Sequence, residues 1–252
     1  MPRLRSNIAH STPDRIVVRG HDLVELLGNV SLGDMAFLEL KGRLPTTAEA
    51  TVFNAIAITL VEHGVTPSVI AARMTYLGAP ESLQAAVAAG LLGLGSRYGG
   101  AAEDVARILQ TALAQAAPDA DVTQLAREIV QRHVESGQTI PGIGHPLHKG
   151  TDPRVVRLFE IAAANGFSGR HVQLIEAVGE QASAALKRAL PVNAAGAIGA
   201  LAGELDIRWQ VCRGLAVMAR AIGLVAHLQE EMEMPLATEI WKRVEEEAGG
   251  AP

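Results

Sequence analysis

Apolar residues recur every three or four positions through most of the chain, broken by short runs of Gly, Pro, Ser and Asp. That period puts them on one face of a helix, so the chain reads as helices joined by brief turns. Residues 1–18 are the exception, an arm or extended segment in which Ile16, Val17 and Val18 suit a short strand. Two short helices follow, with start signals at Ser31 and Asp34 and stop signals at Gly28 and Gly42. Thr46 and Glu49 have the spacing of a capping box. The helix they open carries Val52, Phe53, Ile56, Ile58 and Leu60 and ends near His63 and Gly64. Thr66, Pro67 and Ser68 open another helix through Arg73, and Pro80 and Glu81 open an Ala-rich one that runs into Gly93, Gly95, Gly99 and Gly100. Helices over 101–113 and 123–135 flank a break at Pro118. Asp152 as N-cap and Pro153 at the first helical position predict a helix over 153–165. Helices over 169–189, 197–205 and 208–230 follow, then an amphipathic tail after Pro235.

Composition narrows the packing. Hydrophobic residues make up 48% of the 252, yet aromatics only 3%. A core of Ala, Leu, Val and Ile suits closely packed helices better than sandwiched strands. The length allows one large or two small domains. A net charge of −5 argues against broad nucleic-acid binding. The single cysteine, Cys212, excludes an internal disulfide and fits a reducing compartment. The N-terminus lacks the apolar core of a signal peptide, and no apolar run approaches the roughly 20 residues that span a bilayer. A cytoplasmic protein with no membrane partner is expected.

Two groups of residues carry candidate chemistry. In the Gly/Pro loop from Pro141 to Arg154, His145, His148, Lys149 and Arg154 crowd around a helix N-terminus, which already attracts anions. Arg154 stands in the first turn, where the helix dipole disfavours a cation. On the long helix, Arg213, Arg220 and His227 are seven apart and share one face of an otherwise apolar stretch. They read either as structural ion pairs or a solvent stripe, or as a site for a carboxylate. The glycines of 93–100 are not a phosphate loop, because no strand precedes them and no Lys-Ser/Thr follows. His145 and His148 have no third ligand near them, so no metal is expected.

Several motifs together resemble the citrate synthase superfamily. Gly144 and His145, then Lys149, Asp152, Pro153 and Arg154, look like its active-site loop. Arg19-Gly20 and the run from Leu40 to Thr46 look like its N-terminal signature, and Glu62-His63 like its Asp-His or Glu-His helix end. Gly99 and Gly100 match its Gly-Gly loop. There citrate synthases carry a preceding histidine, while citryl-CoA lyases and the lyase module of ATP-citrate lyase carry an aromatic, here Tyr98. Arg220, in an Ala-Arg-x-x-Gly-x-x-x-His pattern, matches an arginine that grips a substrate carboxylate.

The resemblance implies an all-α fold, with a large domain of residues 1–100 and 201–252 and a smaller one of 101–200, the active site between them. It implies a homodimer through the large domain. It also implies carbon–carbon bond cleavage or formation between acetyl-CoA and oxaloacetate, with the coenzyme A thioester as substrate. His145 would partner the hydroxyl and carbonyl oxygen, and Tyr98 the thioester oxygen. His63, Arg154 and Arg220 would hold carboxylates, and Gly142, Gly144 and Lys149 would approach the nucleotide and phosphates of CoA. The family supplies a catalytic aspartate from Asn-Val-Asp, whose place is taken here by Asn193. An amide cannot serve as a base, although Asp152, Glu204 and Asp206 are near in sequence. A family arginine that reaches the neighbouring subunit is replaced by Met234. These departures keep two alternatives open: a lyase or synthase for another hydroxyacyl-CoA, and a non-catalytic CoA- or carboxylate-binding homologue.

Overall fold

The computed structural model describes residues 6–144 and 152–249; the expected site residues His145 and Lys149 lie outside the described residues. Its architecture is all-α. An N-terminal antiparallel sheet of three short strands, in order β1-β2-β3, precedes the helices: β1 Ala9–Ser11, β2 Ile16–Val18 and β3 His21–Asp22. Then come α1 Leu23–Leu26, α2 Leu32–Lys41, α3 Thr47–Val61, α4 Pro67–Gly78 and α5 Leu83–Leu92. A π-helical turn, Gly95–Gly99, leads into α6 Ala101–Gln115. The remaining helices are α7 Val122–Glu135, α8 Pro153–Ala164, α9 Arg170–Leu186, α10 Ala194–Glu204, α11 Trp209–Glu233 and α12 Ala237–Gly249.

Local signals set most of these boundaries. Ser31 with Asp34, and Thr46 with Glu49, both form complete capping boxes that start α2 and α3. Gly42 ends α2 in the left-handed region at φ 74°. Several boundaries differ from the sequence pattern; α9, for one, ends at Leu186 and α11 runs on to Glu233. Helix α4 runs on past Arg73 to Gly78, and α5 starts after Ser82 rather than at Pro80. Helix α10 starts at Ala194, because the Asn193 side chain accepts from Gly196 N at 3.1 Å and caps it there.

The core is aliphatic, as so few aromatics require. Its main cluster runs from Phe37 and Phe53, whose rings meet edge-on at 5.5 Å, through α6 to α10. Residues Gly196 to Gly203 of α10 are all buried. A Cβ on Gly199 would come within 2.7 Å of Val105, and one on Gly203 within 2.3 Å of the His171 ring. Small residues are therefore what allow α6 and α9 to close on α10.

Helix α11 touches α3, α4, α5, α6 and α10, and its polarity is inverted. Arg213, Arg220 and His227 point inward to partners on α6, the end of α3 and α4. Val211, Met218, Ile222, Val225 and Met232, about 200° around the helix from that row, are exposed. At 25 residues α11 is long and apolar enough, by length and composition alone, to cross a membrane. That corrects the expectation that no run approaches such a length. Arg213, Arg220 and His227, which interrupt its apolar stretch, instead make contacts within the fold.

Behind α11, Arg73 is completely buried. It donates to Glu231 at 2.6 Å and pairs with Glu230, and its Nη2 lies 2.9 Å from His227 Nδ1. Glu231 also accepts from Leu236 N and Ala237 N at the start of α12. A buried guanidinium is tolerable only with such partners, so this cluster pins α4, α11 and α12 together.

Candidate active site

The chain leaves α3 at Glu62 in an extended conformation and passes directly over α11. Gly223 makes the approach possible, since a Cβ there would lie 2.2 Å from the Val61 carbonyl oxygen. This brings Glu62 over Arg220 and His227. Glu62 Oε1 accepts from the backbone N–H groups of His63 and Gly64, both at 2.7 Å, and lies 3.6 Å from Arg220 Nη1. Glu62 Oε2 lies 3.1 Å from His227 Nε2. Burial works against the charge on Glu62. His227 and the two backbone donors outweigh it and hold the carboxyl below its ordinary value.

Arg73 orients the His227 ring. A guanidinium has only donors, so His227 Nδ1 must accept from it. With Nδ1 accepting, the ring donates from Nε2, which faces Glu62 and Arg220. Neither His227 Nε2 nor Arg220 Nη1, both buried, makes an aligned hydrogen bond. His63 itself is exposed at the rim.

Two helical turns nearer the N-terminus of α11, roughly 10 Å along its axis, Arg213 fixes the π-helical turn. Its Nε donates to Glu103 at 2.6 Å, and its Nη2 lies 3.4 Å from Ser96 Oγ. A Cβ on Gly99 would meet the Leu94 carbonyl oxygen at 2.4 Å, and one on Gly100 would meet Arg213 Nη2 at 2.7 Å. The paired glycines therefore serve close packing at the head of α6. Tyr98 lies within this turn, but its side chain is outside the described part of the molecule. Nearby Cys212 is no nucleophile, because burial, helped by Glu103, pushes its thiol up to about 12.

One turn into α6, Val105 receives the loop that carries Gly142 and Gly144, at φ 81° and 71°. A Cβ on Gly142 would lie 2.6 Å from Val105 Cγ2 and 2.8 Å from Gly196 Cα. The loop is zipped to the segment before α10. Asn193 N donates to Gly142 O at 2.9 Å, Gly144 N donates to Pro191 O at 2.8 Å, and Ile143 bridges Val192. The Asn193 side chain completes the join by donating from Nδ2 to Gly144 O at 2.7 Å while its Oδ1 caps α10.

At α8, buried Asp152 answers the misplaced cation. It accepts from Arg154 N at 2.9 Å, and its carboxylate takes Arg154 Nη2 at 2.7 Å and Nε at 3.0 Å. Of the other acids near in sequence, Glu204 accepts from Gly169 N and His171 N and so caps α9. Asp206 pairs with Lys41 at 2.7 Å. Both are committed to structure. The structure thus joins Gly142 and Gly144 with Asn193, and it brings the His63 backbone to Arg220 only through Glu62, with the His63 side chain exposed. Sequence reasoning names Glu62 beside His63 but gives it no role, and it misses the contact of His227 with Arg73. The only signal for that contact was the seven-residue row itself.

The citrate synthase C-terminal domain family matches residues 47–242. The ATP-citrate synthase beta chain protein 2 of Arabidopsis thaliana is 32% identical over 84% of this chain, which spans 37% of that relative's length. The chain therefore covers little more than a third of that curated protein. The citryl-CoA lyase of Hydrogenobacter thermophilus is 35% identical, with a TM-score of 0.84 over 92% of this chain and 88% of that one. The Methanosaeta concilii ATP citrate lyase is 26% identical, with a TM-score of 0.73 over 92% of this chain and 39% of that one. It was solved as an aspartate-to-alanine mutant in complex with (3S)-citryl-CoA. With the helix order, the glycine junction and the Arg220 face already in place, these matches establish that the chain belongs to the citrate synthase family.

Proposed function

We propose that this chain is a citryl-CoA lyase-like enzyme that breaks, or forms, the carbon–carbon bond between the acetyl-CoA and oxaloacetate halves of citryl-CoA. One observation carries the reading: a buried Arg220 whose Nη1 has no aligned partner, beside the Nε2–H of His227 and the His63 rim, in a chain 35% identical to most of a citryl-CoA lyase. Arg220, His227 and His63 hold a carboxylate of the substrate, and Arg154 a second one. His145 takes the proton of the tertiary hydroxyl as the bond breaks, releasing oxaloacetate and the enolate of acetyl-CoA. Tyr98 stabilises the enolate oxygen. The Gly142–Gly144 loop and Lys149 receive CoA, with residues 1–100 and 201–252 on one side of the cleft and 101–200 on the other.

The enolate must then gain a proton at carbon, and here the chain departs from its family. If Asn193 is the asparagine of Asn-Val-Asp, the aspartate position falls on Ala195, in the first turn of α10. No carboxylate stands there, so the proton comes from water. That alanine also supports a second reading, a lyase for another hydroxyacyl-CoA, whose enolate would likewise take its proton from water. The exposed apolar row on α11, Val211, Met218, Ile222, Val225 and Met232, supports a homodimer. The deciding experiment is release of oxaloacetate from (3S)-citryl-CoA, followed with a coupled dehydrogenase. Turnover supports the lyase. Binding of citryl-CoA without turnover leaves a binding homologue, and no binding at all rejects both.

A further inference from the structure

Four N–H donors surround one carboxylate at the end of α3, the chain's own Glu62, three at Oε1 and one at Oε2. They are His63 N and Gly64 N at 2.7 Å, His227 Nε2 at 3.1 Å and Arg220 Nη1 at 3.6 Å. Such a set of donors binds a carboxylate. The two sides of the contact differ in freedom. The Arg220 and His227 side chains are 11% and 13% exposed, whereas that of Glu62 is 45% exposed. The donors are also held from behind, His227 by Arg73 and the backbone by its close approach at Gly223. Glu62 nevertheless meets both buried donors off line, leaving each without an aligned hydrogen bond.

We infer that Glu62 is a built-in stand-in for the substrate carboxylate: it occupies the Arg220–His227 cradle in the free protein and swings out to solvent when a substrate carboxylate takes its place. This rests on the proposal that Arg220 grips substrate. Such an internal competitor lowers apparent affinity by the fraction of time the cradle stands open. It also sets specificity. A monocarboxylate offers the cradle no more than Glu62 does. A di- or tricarboxylate with a second anchor, such as Arg154, displaces it.

Calorimetric titration of wild type, Glu62→Ala and Glu62→Gln with citrate, oxaloacetate and acetate tests this. Both variants should bind citrate and oxaloacetate more tightly, Glu62→Ala by at least about fivefold, and Glu62→Ala should bind acetate measurably where wild type does not. Because Gln fills the same volume without the charge, a gain in both variants cannot be ascribed to a new cavity. Equal or weaker citrate binding in both variants overturns the role of Glu62 while leaving Arg220 standing. Arg220→Met binding citrate as wild type does overturns the underlying proposal, and this inference with it. No citrate binding in any of the proteins overturns both.

Discussion

Where α3 meets α11, Glu62, Arg73, Arg220, His227, Glu230 and Glu231 form one connected set of charged and polar contacts. Where the Gly142–Gly144 loop meets α10, the contacts are backbone hydrogen bonds, one bridge and the Asn193 carboxamide. The first region works through side chains that can exchange partners, so a ligand can enter by replacing one of them. The second has backbone packed against backbone and nothing to exchange. One of these regions is therefore adjustable and the other fixed; for the proposed lyase, that would let a small acid leave while a thioester stays in register.

The largest expected effect tests the fixed end. Gly142→Ala adds a Cβ at a positive φ and against both Val105 and Gly196. Urea denaturation should show a loss of about 3 kcal/mol or more. A loss under about 1 kcal/mol would mean that the loop relaxes freely and the contrast with the α3–α11 end is false. Next comes the adjustable end. Arg220→Lys keeps the charge but not the planar fork, and should weaken citrate binding by about 2 kcal/mol, roughly thirtyfold. Unfolding should change far less than binding, and an unchanged affinity would remove Arg220 from the site.

Asn193 separates the two ends more finely. Aspartate is as good an N-cap as asparagine, but it cannot donate to Gly144 O, 2.7 Å away, and would set oxygen against oxygen. Asn193→Asp should therefore cost about 1–2 kcal/mol and should not raise deuterium exchange into acetyl-CoA. Ala195→Asp leaves the junction intact and should raise that exchange, because the first turn of α10 then carries an acid. A gain from Asn193→Asp instead would show that position 193, not 195, is where the family's aspartate belongs.

The same contrast explains what the sequence reveals. Helix order follows from periodicity, and the capping boxes at Ser31 and Thr46 and the Asp152–Pro153 start follow from local chemistry that needs no tertiary context. Arg220 stands out because a charge in an apolar run is conspicuous. The junction is not readable in that way. Gly142 and Gly196 touch only because the fold brings together two positions far apart in sequence, and a glycine in sequence does not say what lies against it. Asn193 looks like a lost base when it is judged by residue type. Its amide is in fact what fastens the loop, a role that depends on a carbonyl 49 residues away. Glu62 carries no assigned role in the sequence for the opposite reason, since an exposed glutamate at a helix end is ordinary until Gly223 places it over Arg220.

The smallest expected effect is one of pH. The carboxyl of Glu62 lies below its unfolded value, so its contribution to stability is complete above about pH 4.5 and fades as the pH falls through the lower folded value. Glu62 is nearly half exposed, so that contribution is no more than about 1 kcal/mol. Urea midpoints of wild type and Glu62→Gln should thus differ slightly and constantly from pH 7 to 5, and converge below pH 4.5. Asn193→Ala loses an uncharged cap and an uncharged hydrogen bond, so its deficit should stay the same across that range. A Glu62→Gln difference that persists unchanged into acid would show that the α3–α11 end, too, is held by packing rather than by charge.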